Sequence, residues 1–195
     1  MATQQDLEKR QTIKQAARDL FFRFGFSKTS IEDIARHCGM AKASLYYYYP
    51  NKEALFNEIV IEEAEQFMNR VEERLPKDAP PDEQLAWFFR LIYQDLKIYA
   101  REMAEVPEIM CEHSPHGRPI VEKINQLFQA KLRPLLQAGK AAGIFSYGDE
   151  EVVVASLSFM TQFLNLEWMQ MYPESLRDAV IETTIDILLN GIRRR

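Results

Sequence analysis

Gly39 and Pro50 bracket residues 40–49 (MAKASLYYYY), in which four consecutive tyrosines, Tyr46, Tyr47, Tyr48 and Tyr49, run up to the proline. Aromatic runs favour strands. Proline, however, has no N–H to give a ladder and biases the residue before it away from helix, and the Gly39 turn closes the other end. A paired strand has no room here. A short helix opening near Ala41 or Lys42 and ending by Pro50 does fit. At 3.6 residues per turn, Leu45 and Tyr49 lie about 40° apart and share a core face. Tyr47 then points nearly opposite, with Ala43 and Ser44 on its side, and Tyr46 and Tyr48 flank it.

The preceding residues extend the pattern. Ile13, Ala17, Leu20, Phe21 and Phe24 recur at helical spacing, and Gly25 supplies a stop. Ile31, Ile34, Ala35 and Cys38 mark a second, short helix, opened by Ser30 with Asp33 in a near capping box. A supporting helix, a short helix, a glycine turn and a second short helix form the layout of a helix-turn-helix, whose second helix enters the DNA major groove. Exposed tyrosines there offer an apolar ring and a hydroxyl for thymine methyl groups and phosphates. Residues 1–52 hold nine Lys/Arg against five Asp/Glu, a balance of +4; the rest holds fifteen against twenty-four, a balance of −9. This asymmetry suggests a basic binding head on an acidic body.

The remainder also reads as helix. Residues 52–75 follow Asn51 as N-cap, and residues 76–84 (PKDAPPDEQ) form a linker. Residues 82–103 carry two apolar stripes, one through Leu85, Phe88, Phe89, Ile92 and Leu96 and another through Trp87, Leu91 and Ile98, which predicts burial inside a bundle. Helices follow over about 120–142, where Pro134 should bend or break the path, then 150–172 and 173–191. The fold class is all-α, with about nine helices: a helix-turn-helix DNA-binding head (1–52) on a helical-bundle ligand-binding and dimerisation domain (53–195). The last two helices carry more apolar surface than a small domain needs, and leaving one face in water costs about 25 cal/mol per Å². Pairing of two subunits through Val153, Leu157, Leu164, Ile181, Ile185 and Leu188 would cover it; a larger intramolecular core is the other way to do so.

Residues 29–56 (TSIEDIARHCGMAKASLYYYYPNKEALF) resemble the signature of the tetracycline-repressor (TetR) family of bacterial transcription regulators, and the likeness extends back through LFFRFGF. The resemblance implies a homodimer on a palindromic operator in double-stranded DNA. It also implies a body that binds a small-molecule effector, whose arrival separates the heads and releases DNA. Position by position, Lys42, Ala43, Ser44, Tyr46, Tyr47 and Tyr48 match the recognition helix, Ser30 and Ile31 the start of the helix before it, and Lys52 a backbone-binding lysine. Four departures stand out, one of them Tyr48 in place of His. Ala41 replaces the usual Ser cap, a loss of ~1 kcal/mol. Ala43 replaces Gly. Tyr49 replaces Phe and needs a partner for a largely buried hydroxyl.

Other signals are weaker. Trp87, Tyr93, Met103, Met110, Phe128, Phe163 and Trp168 are candidate walls of a ligand cavity, and no charged counter-ion stands out among them, which points to a lipophilic ligand. Cys111, His113 and His116 match no common zinc spacing, so no metal and no cofactor is expected. No nucleophile–base pair or phosphate loop supports an enzyme. Two cysteines and no long apolar run point to a reducing, cytoplasmic setting without a membrane span. A ligand-blind DNA-binding or chromosome-organising protein is the main alternative, and an enzyme or interaction module that has lost DNA function is a further one.

Overall fold

The computed structural model describes residues 3–102, 118–162 and 171–194. Eight helices run through these residues: α1 (Gln4–Phe24), α2 (Ile31–His37), α3 (Lys42–Tyr48), α4 (Lys52–Arg74), α5 (Pro81–Glu102), α6 (Arg118–Ala141), α7 (Glu150–Gln162) and α8 (Glu174–Ile192). No strand occurs among the described residues, and one isolated antiparallel bridge joins Phe145 to Arg193.

Side-chain caps decide where the first helices begin. α1 starts well before its apolar stripe because Thr3 and Asp6 cap it reciprocally: the Asp6 amide donates to Thr3 Oγ1 at 3.2 Å and the Thr3 amide to Asp6 Oδ2 at 3.1 Å. Ser30 and Asp33 do the same for α2, at 3.1 and 3.0 Å. Asn51 caps α4, its Oδ1 accepting from the Ala54 amide at 2.7 Å. α3 has no side-chain cap, since Ala41 offers none. Gly25 (φ 86°) and Gly39 (φ 66°) make the turns after α1 and α2 in the left-handed region. At the end of α3, Tyr49 is extended (φ −137°, ψ 117°), as the following proline requires. α6 runs through Pro134 unbroken. Pro134 and Ala130, whose carbonyl loses its donor, both lie on the exposed side, where water can replace the bond.

The described residues fall into two compact units, one within Met1–Ala64 and Glu105–Lys123, the other within Glu65–Ala104 and Ile124–Arg195. The division expected at residue 52 thus moves into α4. The reason is visible in the first unit's core, where Leu55, Phe56 and Ile59 of α4 are buried together with Ile13, Ala17 and Phe21 of α1, Ile34 of α2 and Leu45 of α3. Phe21, Phe26 and Phe56 form a ring triangle with centroids 4.9–5.5 Å apart.

The second unit packs Met68 and Val71 of α4, Leu85, Phe88, Phe89 and Ile92 of α5, Phe128, Leu132 and Leu136 of α6, Val154 and Leu157 of α7, and Ile181, Ile185 and Leu189 of α8 into one core. Arg90 of α5 grips Glu182 of α8 with both faces of its guanidinium fork, at 2.8 and 2.6 Å. Tyr93 donates its hydroxyl to Asp178 at 2.6 Å. Of the second apolar stripe of α5, Leu91 is buried, but Trp87 and Ile98 are exposed by 40% and 56% in the single chain. Near the end of α6, the Phe145 ring lies close against Gly139, where an added Cβ would stand 2.0 Å from Cδ2. Gly139→Ala should therefore lower stability by about 1–3 kcal/mol through overpacking. Thermal unfolding beside Gly148→Ala, where an added Cβ meets nothing within 4 Å, checks this.

Candidate nucleic-acid interface

The four tyrosines take four environments. Tyr49 is buried at 2% exposure, Tyr47 stands out at 79%, and Tyr46 is exposed at 45%. Tyr48 is half-buried, edge-on to Tyr47 with centroids 5.1 Å apart, and its hydroxyl reaches Asp6 of α1 at 3.4 Å. Ala43 and Ser44 are exposed beside Tyr47. Of the face expected to meet DNA, Lys42, Ala43, Ser44, Tyr46 and Tyr47 are exposed, and a short helix presents them.

What holds α3 in place is a polar cluster at its end. The buried Tyr49 hydroxyl donates to Glu58 Oε1 of α4 at 3.1 Å. Arg10 of α1 donates to the other Glu58 oxygen at 2.5 Å and to the Tyr48 carbonyl at 3.2 Å, and its guanidinium lies 4.5 Å from the Tyr49 ring centroid. Lys14 adds a second cation, 3.3 Å from Glu58. Burial, reinforced by the Glu58 charge, pushes the Tyr49 phenol well above its ordinary value, so it stays a donor. Burial alone would raise Glu58, but the bonds from Arg10 and then Tyr49 outweigh it and hold the carboxylate below its usual range. The sequence pointed to a partnerless hydroxyl on Tyr49; Glu58, nine residues on, was missed because its pairing depends on how α4 lies against α1.

Lys52 behaves differently from a phosphate ligand in waiting. Its ammonium donates to the carbonyls of Phe26 and Thr29, at 2.7 and 2.9 Å, and sits 4.1 Å above the Phe26 ring. Burial holds its pKa below the usual lysine value. In the free protein it fastens the α1–α2 loop to the start of α4. Ile31 is 8% exposed and belongs to the core, whereas the Ser30 hydroxyl is exposed and occupied by its cap.

Lys42 opens α3 and is ion-paired with Glu32 of α2. That hydrogen bond, set against slight burial, holds the lysine above its usual pKa. Arg36 is largely exposed, 3.6 Å from Asp33. It borders an open cleft of about 540 Å³ with Phe24, Lys28 and His37. The head, taken to the end of its packed segment of α4, carries no net charge. Residues 53–64 add Glu53, Glu58, Glu62 and Glu63 and no Lys or Arg, so residues 1–64 carry nine basic and nine acidic side chains. Three of those four glutamates pair with α1: Glu58 with Arg10 and Lys14, Glu62 with Lys14, and Glu63 with Arg18 at 2.9 Å. The basic balance of residues 1–52 is largely spent inside the head, and the cations on the α2–α3 side are Lys28, Arg36 and Lys42.

In the second unit, the candidate cavity residues do not share one environment. Phe128 stacks against Phe88 and Phe89 in the core, Tyr93 is buried on Asp178, and Trp87 lies at the surface with Arg90 5.9 Å from its ring. Met103, Met110, Phe163 and Trp168, as well as Cys111, His113 and His116, lie outside the described residues. Leu157, Ile181 and Ile185, read from sequence as a subunit interface, are buried in the chain's own core, and Val153 and Leu188 pack partly against it; Leu164 lies outside the described residues. Each helix is apolar on two sides, and Leu157, Ile181 and Ile185 lie on the inward ones. No helix among the described residues is long and apolar enough to cross a membrane.

Residues 13–59 match the family model described as bacterial regulatory proteins, tetR family. A stretch of 48 residues, 25% of this chain and 23% of the relative, is 48% identical to the transcriptional regulator RutR of Escherichia coli K12. The nucleoid occlusion factor SlmA of Vibrio vulnificus YJ016 is 29% identical over 164 residues, covering 80% of this chain and 81% of its own. The solved structure of the flavonoid-responsive regulator FrrA is 26% identical, with 96% of this chain and 98% of that one covered and a TM-score of 0.69. A helix-turn-helix head followed by a helical body of this form defines a DNA-binding transcriptional regulator. The match to the tetR family is carried by residues 13–59, which span α2, α3 and the parts of α1 and α4 that pack on them.

Two substitutions separate recognition from scaffolding. Tyr47→Ala should leave stability within about 0.5 kcal/mol while weakening DNA binding by about 1–3 kcal/mol. Glu58→Gln should instead destabilise the head by about 1–3 kcal/mol, by removing charged hydrogen bonds. Because Glu58 is depressed in the folded state, its contribution is present above the unfolded value of about 4.3 and lost as pH falls below it. The acid limb of the stability curve should flatten in Glu58→Gln, as thermal unfolding at several pH values would register.

Proposed function

We propose that the protein is a homodimeric repressor that binds a palindromic operator through paired α3 helices and is released by a small, lipophilic effector. The observation that carries the DNA face is the outward side of α3: Tyr47 at 79% exposure, with Tyr46, Ser44, Ala43 and Lys42 exposed around it. Tyr48 flanks them, and Ser30 stands at the start of α2. Lys52 would reach a phosphate only by leaving its two loop carbonyls, so its first role is to fix the loop that places α2.

Dimerisation is supported by the outer faces of α7 and α8. On α7, Val152 and Phe159 are 61% and 59% exposed, on the side away from buried Val154 and Leu157. On α8, Leu176, Val180 and Ile187 lie within about 40° of one another at 46%, 40% and 63% exposure, opposite buried Ile181 and Ile185. Apolar stripes of this kind on two helices suit a two-fold four-helix contact. Two heads so related would meet half-sites about 34–36 Å apart on one face of the duplex. Ile187→Glu should yield folded monomers, because the side chain leaves no cavity in the protomer, whereas Ile185→Glu should unfold the body. Light scattering and circular dichroism distinguish the two, and a folded Ile187→Glu dimer would move the contact elsewhere.

The effector reading leans on the solved likeness to a flavonoid-responsive regulator and on the aromatic and Met content of the body. The likeness to a nucleoid occlusion factor favours a second reading, in which the same head binds DNA without effector control. Native mass spectrometry of the protein purified from bacteria tests the choice. A bound lipophilic molecule whose removal tightens DNA binding is expected for the repressor. A protein free of small molecules and unaltered by lipid extract would favour the second reading. Either form would work in the cytoplasm, where its DNA is.

A further inference from the structure

The head holds few cations that can meet DNA. Arg10, Lys14 and Arg18 are engaged by glutamates of α4, and Lys52 is turned into two loop carbonyls. Of the cations left on the α2–α3 side, Lys28, Arg36 and Lys42, only Lys42 belongs to α3, at its first position, and its ammonium is paired with Glu32, the second residue of α2, across the turn. The two side chains are 49% and 58% exposed, so the pair sits on the surface and not in the core. Capping does not explain Glu32 either, since the carboxylate that caps α2 is that of its neighbour Asp33. A negative charge has been placed on the one lysine of the helix that carries Tyr47.

Binding to DNA of arbitrary sequence depends almost wholly on cations that displace counterions from phosphates. A lysine already neutralised by a carboxylate displaces none. An exposed ion pair is weak, however, and can be opened when other contacts form. We propose that Glu32 is a specificity-setting residue, which keeps Lys42 from the phosphate backbone on arbitrary DNA and yields it where the bases met by α3 compensate for the broken pair. Discrimination arises here by weakening the wrong complex more than the right one. The inference rests on the reading of α3 as the DNA-facing helix.

The test is Glu32→Gln, which keeps the shape of the side chain and removes its charge. Binding is followed by fluorescence anisotropy on a mixed-sequence duplex over a range of salt, and on the duplex that the wild-type protein enriches from a random pool. The variant should bind mixed sequence more tightly, with a log–log salt slope steeper by about 0.9 per head. Between about 50 and 200 mM salt its affinity should fall about 3.5-fold further per head than that of the wild type. Affinity for the enriched duplex should change less, so the ratio between the two falls. In a Lys42→Met background the gain should vanish. An unchanged salt slope and mixed-sequence affinity in Glu32→Gln, with helical content intact, overturns the proposal. So does a gain that persists without Lys42, since the carboxylate would then act alone. If Lys42→Met weakens wild-type binding while Glu32→Gln does nothing, only this proposal falls. If Lys42→Met has no effect on DNA binding, the assignment of the α3 face falls with it.

Discussion

Glu58 receives the phenol of Tyr49 and the guanidinium of Arg10 on its two oxygens, with Lys14 close by, and the position of α3 depends on that carboxylate. A seven-residue helix without a side-chain cap is far below the length at which a helix is stable alone. It persists because Leu45 and Tyr49 are buried under it and because its last carbonyls are held, Tyr48 by Arg10. Replacing Glu58 with an apolar residue would leave the buried Tyr49 hydroxyl without an acceptor and Arg10 with only the Tyr48 carbonyl, which is more expensive than the loss of the bonds themselves.

The same contacts explain how a regulator can bind a polyanion with a head that is neutral overall. Arg10, Lys14 and Arg18 of α1 pair with glutamates of α4, and the cations nearest α3 are few and partly paired. On the α3 face proposed above, affinity from charge alone would thereby be restrained, leaving more of the recognition to shape and aromatic contacts. This suits a protein that must tell one site from a large excess of others, since phosphate contacts add to both complexes alike.

In the body the governing constraint is that α7 and α8 are apolar on two opposite sides. The core accepts one side of each, and Val154, Leu157, Ile181 and Ile185 fill it. What remains outward, Val152 and Phe159 on one helix and Leu176, Val180 and Ile187 on the other, is more than isolated surface hydrophobes would supply. Arg90 and Tyr93 of α5 clamp α8 from the inner side, so the outward stripe is presented on a helix that is held firmly.

Much of this was legible in the chain. Helix punctuation by Gly25, Gly39 and Pro50, the Ser30 and Asn51 caps, the inward turn of Tyr49 and the outward turn of Tyr47 all follow from local sterics and a fixed 100° step, and those are properties of sequence. Four matters were decided only by tertiary packing. Where α4 lies determined that Glu58 rather than solvent meets Tyr49, and that the head's positive charge is neutralised. Where the loop after α1 folds determined that Lys52 serves carbonyls. Which side of α7 and α8 meets the core determined that Leu157, Ile181 and Ile185 are inside and Ile187 is out. That Lys42 faces Glu32 depends on the angle between two short helices. Periodicity tells which residues share a face, but the choice of face, and of the partner brought to it from elsewhere in the chain, belongs to the three-dimensional packing alone.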